Sequence, residues 1–154
     1  MYLQLLRKPA TLRAAVSTRV NVADADAADV PELVDAFREL LDRHARISCA
    51  LERVLQDEHG LGMSEFEVLE RLAGAEGHGH GRRMAELAEA VHLSQSALSR
   101  VVGRLESDGL VARKMCSEDR RGIFAVLTPA GLERYQAARP TQRAVLADVL
   151  GDKR

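Results

Sequence analysis

Residues 84–113 read MAELAEAVHLSQSALSRVVGRLESDGLVAR, and this stretch decides the fold. Met84, Leu87, Ala88 and Val91 recur at steps of three and four, which predicts a short amphipathic helix over 83–93. His92-Leu93-Ser94 leaves room only for a tight connection. A second helix is expected at 95–107, with Ser94 as its N-cap and Gly109 stopping it at the C′ position. At about 100° per residue, Leu98, Val101, Val102 and Leu105 fall on one stripe that must face a core. Ser96, Ser99, Arg100, Gly103 and Ser107 fall opposite, flanked by Arg104. Solvent-facing helices usually carry Glu and Lys, whereas here the two acids, Glu106 and Asp108, sit at the C-terminal end. Small side chains let a helix lie deep in a groove, and arginine can bond two acceptors on a guanine edge or grip a phosphate. A B-form major groove about 12 Å wide admits such a helix. The plainer alternative is an ordinary solvated face.

Working outward toward the C-terminus, Leu110–Lys114 and Ile123–Leu127 are short runs on either side of a polar tip, so a two-stranded hairpin is expected. Arg113, Lys114, Arg120 and Arg121 concentrate positive charge on this projecting element. An arginine at such a tip can enter the minor groove, where the negative potential is strongest over narrow A·T tracts. Asp119 would be repelled by phosphate; its use there would be to orient a neighbouring guanidinium. The alternative is a solvated turn. Thr128-Pro129 then restarts helix as cap and first residue. Pro140 is expected to break that helix, leaving a final short one near 141–150.

Toward the N-terminus, Pro31 suits a first helical turn. Leu33, Phe37, Leu40, His44, Ile47, Leu51 and Val54 mark one apolar face of a long helix ending near Gly60. Ser64 with Glu67 reads as a capping box for a following helix whose buried side is Phe66, Leu69 and Leu72. Gly74–Gly81 reads as a loop. Residues 1–29 carry Arg7, Lys8, Arg13 and Arg19 and then turn acidic; a tail and an amphipathic helix interrupted at Pro9 fit them equally.

The whole chain narrows the possibilities. Its 154 residues suit one domain with extensions, and 46% apolar residues with only 3% aromatic imply a core of Leu, Val and Ala. A formal net charge of −1 means that any contact with nucleic acid must come from a local patch. No apolar run reaches the length of a membrane span, and the order of charges at the start is wrong for a secretory signal, so a cytoplasmic chain is expected. Two cysteines, Cys49 and Cys116, are too few for a disulfide framework. No phosphate-cradling glycine loop, HExxH or nucleophile elbow is present, so no enzyme and no cofactor are expected.

With these residues in place, the chain over 31–139 resembles the multiple antibiotic resistance regulator (MarR) family of winged helix-turn-helix proteins. The resemblance is carried by residues 84–113 and by SEDRRGIFAVLTPAG at 117–131, where Asp-Arg-Arg-Gly is followed by Leu-Thr-x-x-Gly. It implies a mainly α fold with a small β-hairpin wing, the winged helix-turn-helix flanked by N- and C-terminal dimerisation helices. The expected divisions are an extension at 1–29, a dimerisation helix at 31–60, the DNA-binding region at 64–128 and short C-terminal helices at 129–154. It also implies a transcription regulator, a repressor acting as a homodimer on a pseudo-palindromic double-stranded DNA operator. The DNA contacts would come from Ser94, Gln95, Ser96, Ser99, Arg100 and Arg104 on the reading helix. Arg113, Lys114, Asp119, Arg120 and Arg121 would supply those of the wing, with Arg121 held by Asp119 in the minor groove. An anionic or phenolic small-molecule effector would meet His44 and Arg46. Two other readings of the control mechanism stand beside it. A thiol switch would use Cys116 or Cys49, the former near basic residues that lower a thiol pKa. Metal sensing by His78 and His80 has no third ligand at a fixed spacing. A winged-helix module that binds protein is the rival reading of the whole chain.

Overall fold

The computed structural model describes residues 30–74, 81–115 and 123–151. The chain divides into two units, residues 1–41 and 42–154. In the first, the described residues are the opening turns of helix α1 (Val30–His59), where Arg38 Nη1 lies 3.0 Å from Asp35 Oδ1 on the exposed surface. The rest of α1 belongs to the second unit. There it is followed by α2 (Met63–Ala73), β1 (Arg82–Arg83), α3 (Met84–Ala90), α4 (Gln95–Ser107), β2 (Val111–Met115), β3 (Ile123–Leu127) and α5 (Pro129–Gly151).

The stripe predicted on α1 changes character along its length. Leu51 is buried, Ile47 packs against the same core and Val54 is half-buried, while the fully buried Leu55 lies beside the predicted stripe rather than on it. Leu33, Phe37 and Leu40 are 67%, 58% and 63% exposed in the single chain, and His44 is exposed as well. The helix stops at Gly60, whose φ of +64° is open to glycine at no steric cost.

Helix α2 begins two residues earlier than the Ser64 capping box implies. Its N-cap is Gly62, whose N–H donates to Glu65 Oε2 at 2.9 Å. The reason lies in the flanking apolar residues. With Gly62 as cap, Leu61 and Phe66 occupy the positions of a hydrophobic staple, and both are buried in the core. A cap at Ser64 would pair the half-buried Met63 with Val68 instead and leave Leu61 and Phe66 outside the staple. Glu67 is then free to pair along the helix with Arg71 at 3.5 Å.

The helix-turn-helix forms as the sequence implies. Leu87, Ala88 and Val91 are buried from α3 and its end, and Leu98, Val101, Val102 and Leu105 from α4. The turn is made by His92, at φ 54°, with His92 N–H bonding the Glu89 carbonyl at 3.4 Å and Leu93 N–H the Ala88 carbonyl at 3.0 Å. Together these two bonds form a left-handed helix C-cap. Ser94 Oγ accepts from Ala97 N–H at 3.2 Å and opens α4. Gly109, at φ +72°, closes α4 with the same pair of bonds, to Glu106 (3.0 Å) and from Leu110 to Leu105 (2.8 Å).

The wing is a three-stranded antiparallel sheet in the order β1-β3-β2, not a lone hairpin. Arg113 and Arg82 both pair with Ala125, which is fully buried at the sheet's centre. The extra strand is only two residues long, too short for an alternating pattern to reveal it. Gly81 at its start must be glycine: its φ is +65°, and a Cβ would run into the Ala125 carbonyl.

Thr128 joins sheet to helix. Its hydroxyl accepts from Gly131 N–H at 3.0 Å as the cap of α5 and donates to the Gly109 carbonyl at 2.7 Å. Gly131 sits so close that a Cβ there would overlap the Leu110 carbonyl. The Leu-Thr-x-x-Gly pattern thus fastens the end of α4, the end of the sheet and the start of α5 at one point.

The expected break at Pro140 does not occur. Helix α5 runs from Pro129 to Gly151 with Pro140 inside it. Proline removes one helical hydrogen bond, but contacts on either side hold the helix in line. Ala138 is fully buried. Thr141 Oγ1 lies 2.8 Å from His59 Nε2 and donates to Glu58 Oε2 at 3.1 Å. Arg134 Nη1 donates to the His59 carbonyl at 2.8 Å. The Phe66 and Tyr135 rings, with centroids 5.6 Å apart, dock α2 on α5. The C-terminal segment is therefore one long helix rather than two short ones.

Candidate nucleic-acid interface

The outward face of α4 is built by its inward one. Four buried apolar side chains fix the rotation of the helix, and that rotation turns Gln95, Ser96, Ser99, Arg100 and Arg104 outward, all exposed. Ser94, also exposed, places its Oγ 3.2 Å from Ser96 Oγ. Ser107 is turned back on its own helix, donating to the Gly103 carbonyl at 3.0 Å. Arg100 has no hydrogen-bond or ion-pair partner among the described residues, so its whole guanidinium is available to a ligand. Lys114 is likewise exposed on β2.

Two of the expected arginine contacts have internal partners. Arg104 Nε donates to Glu65 Oε1 at 2.6 Å. Arg113 straps the sheet to α4: its Nη2 donates to the Ser99 carbonyl at 2.9 Å, its Nη1 lies 3.3 Å from Glu106 Oε2, and its backbone N–H donates to Glu106 Oε1 at 3.2 Å. Arg113 therefore ties the base of the wing to the centre of the reading helix, a role its place in a basic cluster did not reveal. It also explains Glu106, whose carboxylate faces the strap.

Asp119, Arg120, Arg121 and Cys116, and the loop histidines His78 and His80, lie outside the described residues, as does the extension 1–29. On α1, His44, Arg46 and Cys49 are all exposed, and no hydrogen bond or ion pair among the described residues joins them to α4. Among the described residues, no cluster of three metal-ligating side chains occurs, and no helix is long and apolar enough to cross a membrane.

Sequence reasoning missed Glu65, Arg82 and Arg83. Arg83 lies over the Phe124 ring, 5.3 Å from its centroid, and belongs to the sheet. For Glu65 the signal was present but out of register, because Gly62-x-x-Glu65 and Ser64-x-x-Glu67 both fit a cap pattern.

A tight helical pair whose second member presents an exposed basic face, braced by a small antiparallel sheet, defines a winged helix-turn-helix protein. Comparison with known proteins agrees. The MarR family model matches residues 59–122. AbsC of Streptomyces coelicolor, a MarR family transcriptional regulator of known structure, is 38% identical, with a TM-score of 0.69 over 76% of this chain and 77% of its own. Sco3205, a MarR family transcriptional regulator of the same organism solved in complex with DNA, is 31% identical, with a TM-score of 0.73 over 80% of this chain and 76% of its own. The HTH-type transcriptional regulator MhqR of Bacillus subtilis is 29% identical over 92 residues, 60% of this chain and 61% of its own. The match thus spans less than two thirds of that curated relative. The chain belongs to the MarR family of transcriptional regulators.

Proposed function

We propose that the protein is a DNA-binding transcription regulator, a ligand-responsive repressor that grips a pseudo-palindromic operator as a homodimer. The observation that carries this reading is the face of α4. A helix fixed by four buried residues presents short hydroxyl side chains and an Arg100 that has no partner among the described residues. Sco3205, a relative with this fold, has been solved on DNA. Ser94, Gln95, Ser96, Ser99 and Arg100 enter the major groove, where the N-terminal residues of a reading helix meet base edges. Lys114 and, at the wing tip, Arg120 and Arg121 engage backbone and minor groove, with Asp119 orienting Arg121. Arg113 serves the interface by holding the wing against α4.

The homodimer is supported by the exposed Leu33, Phe37 and Leu40 on α1, a row of large apolar side chains that a second copy would cover. Two-fold symmetry would then set half-sites about one helical turn apart. The regulator acts in the cytoplasm without catalysing a reaction, and His44 and Arg46 on α1 are the candidate groups for an anionic or phenolic effector. Footprinting on the DNA upstream of the protein's own gene tests the proposal. Protection of two symmetric half-sites is expected, and charge reversal at Arg100 should abolish it. A protein-interaction module would leave that DNA unprotected.

A further inference from the structure

Glu65 is the one buried charged side chain among the described residues. A carboxylate is costly to bury unless its oxygens are paired, and both are: Oε2 accepts from Gly62 N–H at 2.9 Å, and Oε1 accepts from Arg104 Nε at 2.6 Å. Capping α2 needs only one oxygen. The second reaches across to the reading helix and takes hold of a side chain that is itself 61% exposed. An apolar residue at such a site usually gives equal or better stability than an ion pair, so the pairing calls for another use.

We infer that Glu65 is a positioning residue for DNA binding, holding Arg104 so that its terminal amino groups present a ready-made fork to one phosphate of the duplex. The geometry is specific. A guanidinium has a side edge, which includes Nε, and an end edge formed by Nη1 and Nη2. Glu65 occupies Nε, and no bond to either terminal nitrogen is made among the described residues. The end edge of this side chain, 61% exposed, is thus left unbonded among the described residues and fit for two parallel bonds to phosphate oxygens. Arg104 stands one turn beyond Arg100 on the same side of α4, in the last turn of the helix. The start of a reading helix enters the groove, so its far end meets the backbone rather than the bases. Glu65 is itself fixed by the α1–α2 junction, where Glu52 Oε2 accepts from Met63 N–H at 2.7 Å. Arg104 is thereby ordered before DNA arrives, which spares the cost of immobilising a long flexible side chain on binding.

The inference rests on the DNA-binding reading and is tested by a double-mutant cycle. Affinity is measured by fluorescence anisotropy on labelled duplex from the gene's own upstream region, for wild type, Glu65→Gln, Arg104→Ala and the double variant. Glu65→Gln should weaken binding about 5-fold in the wild-type background, roughly the cost of ordering one long side chain. In the Arg104→Ala background it should cause no loss. Arg104→Ala should also lower the salt dependence by about one phosphate contact. An equal loss from Glu65→Gln in both backgrounds would make Glu65 merely structural. Tighter binding by Glu65→Gln in the wild-type background would make it only a repelling charge. Either result overturns the inference. If Glu65→Gln fails to fold, Arg104→Lys decides. It keeps the charge at an exposed position but cannot hold both Glu65 and a two-pronged phosphate contact. A loss comparable to that expected for Glu65→Gln supports the inference, and wild-type binding by Arg104→Lys overturns it. Failure of the wild-type protein to bind the duplex would overturn the DNA-binding reading itself, whereas wild-type binding without coupling overturns only the role of Glu65.

Discussion

Replacing Thr128 by valine keeps the shape of the side chain and deletes one hydroxyl. In the structure that hydroxyl makes two bonds. It accepts from Gly131 N–H at 3.0 Å as the cap of α5, and it donates to the Gly109 carbonyl at 2.7 Å. Losing a helix cap costs about 1 kcal/mol. The Gly109 carbonyl is near the surface and can turn to water, so its lost bond contributes about 0.5–1 kcal/mol. The sum is about 1.5–2 kcal/mol. For a chain of this length that lowers the unfolding midpoint by about 3–8 °C. Thermal unfolding followed by circular dichroism measures it, with Thr128→Ser as the control that retains the hydroxyl and stays near wild type. A Thr128→Val protein within about 0.5 kcal/mol of wild type, well below the cost of a cap, would refute the argument that this residue fastens three elements at one point.

Other expectations follow from the same geometry. Gly131→Ala drives a methyl group against the Leu110 carbonyl, and denaturant unfolding should show a loss of about 2–3 kcal/mol, the scale of overpacking. Pro140→Ala restores a helical N–H inside α5 and should raise stability by about 1–3 kcal/mol; a lower midpoint would mean that the helix depends on the proline. Arg113→Ala removes the strap from β2 to Ser99 and Glu106. It should weaken operator binding about 10-fold, the scale of one hydrogen bond to a charged group, and lower stability by about 1–2 kcal/mol without unfolding the protein. A wild-type affinity would leave the strap without a role in binding.

The parts of the fold written in the sequence are those with a local period. Leu98, Val101, Val102 and Leu105 announce both the buried stripe of α4 and, by opposition, its outward face. Ser94 and Gly109 mark its ends because each satisfies backbone groups within a few residues. What could not be read depends on partners distant in sequence. The α5 helix survives Pro140 because His59 and Glu58, far back in the chain, hold Thr141. The strand Arg82–Arg83 exists only because Phe124 and Ala125 pair with it. Arg104 and Arg113 read as two more cations in a basic cluster; only the folded chain shows that Glu65 and Glu106 hold them. The cap of α2 was misread by two residues because two cap patterns overlap, and burial of Leu61 and Phe66 chooses between them.

The central claim is that the exposed face of α4 meets the charged backbone and base edges of a duplex. It is tested most directly by titrating labelled upstream DNA with wild-type and Arg100→Glu protein over a range of salt. A linear fall of log affinity with log salt is expected for the wild type, with binding abolished by the charge reversal. Affinity indifferent to salt, or an Arg100→Glu protein that binds as wild type does, would contradict it.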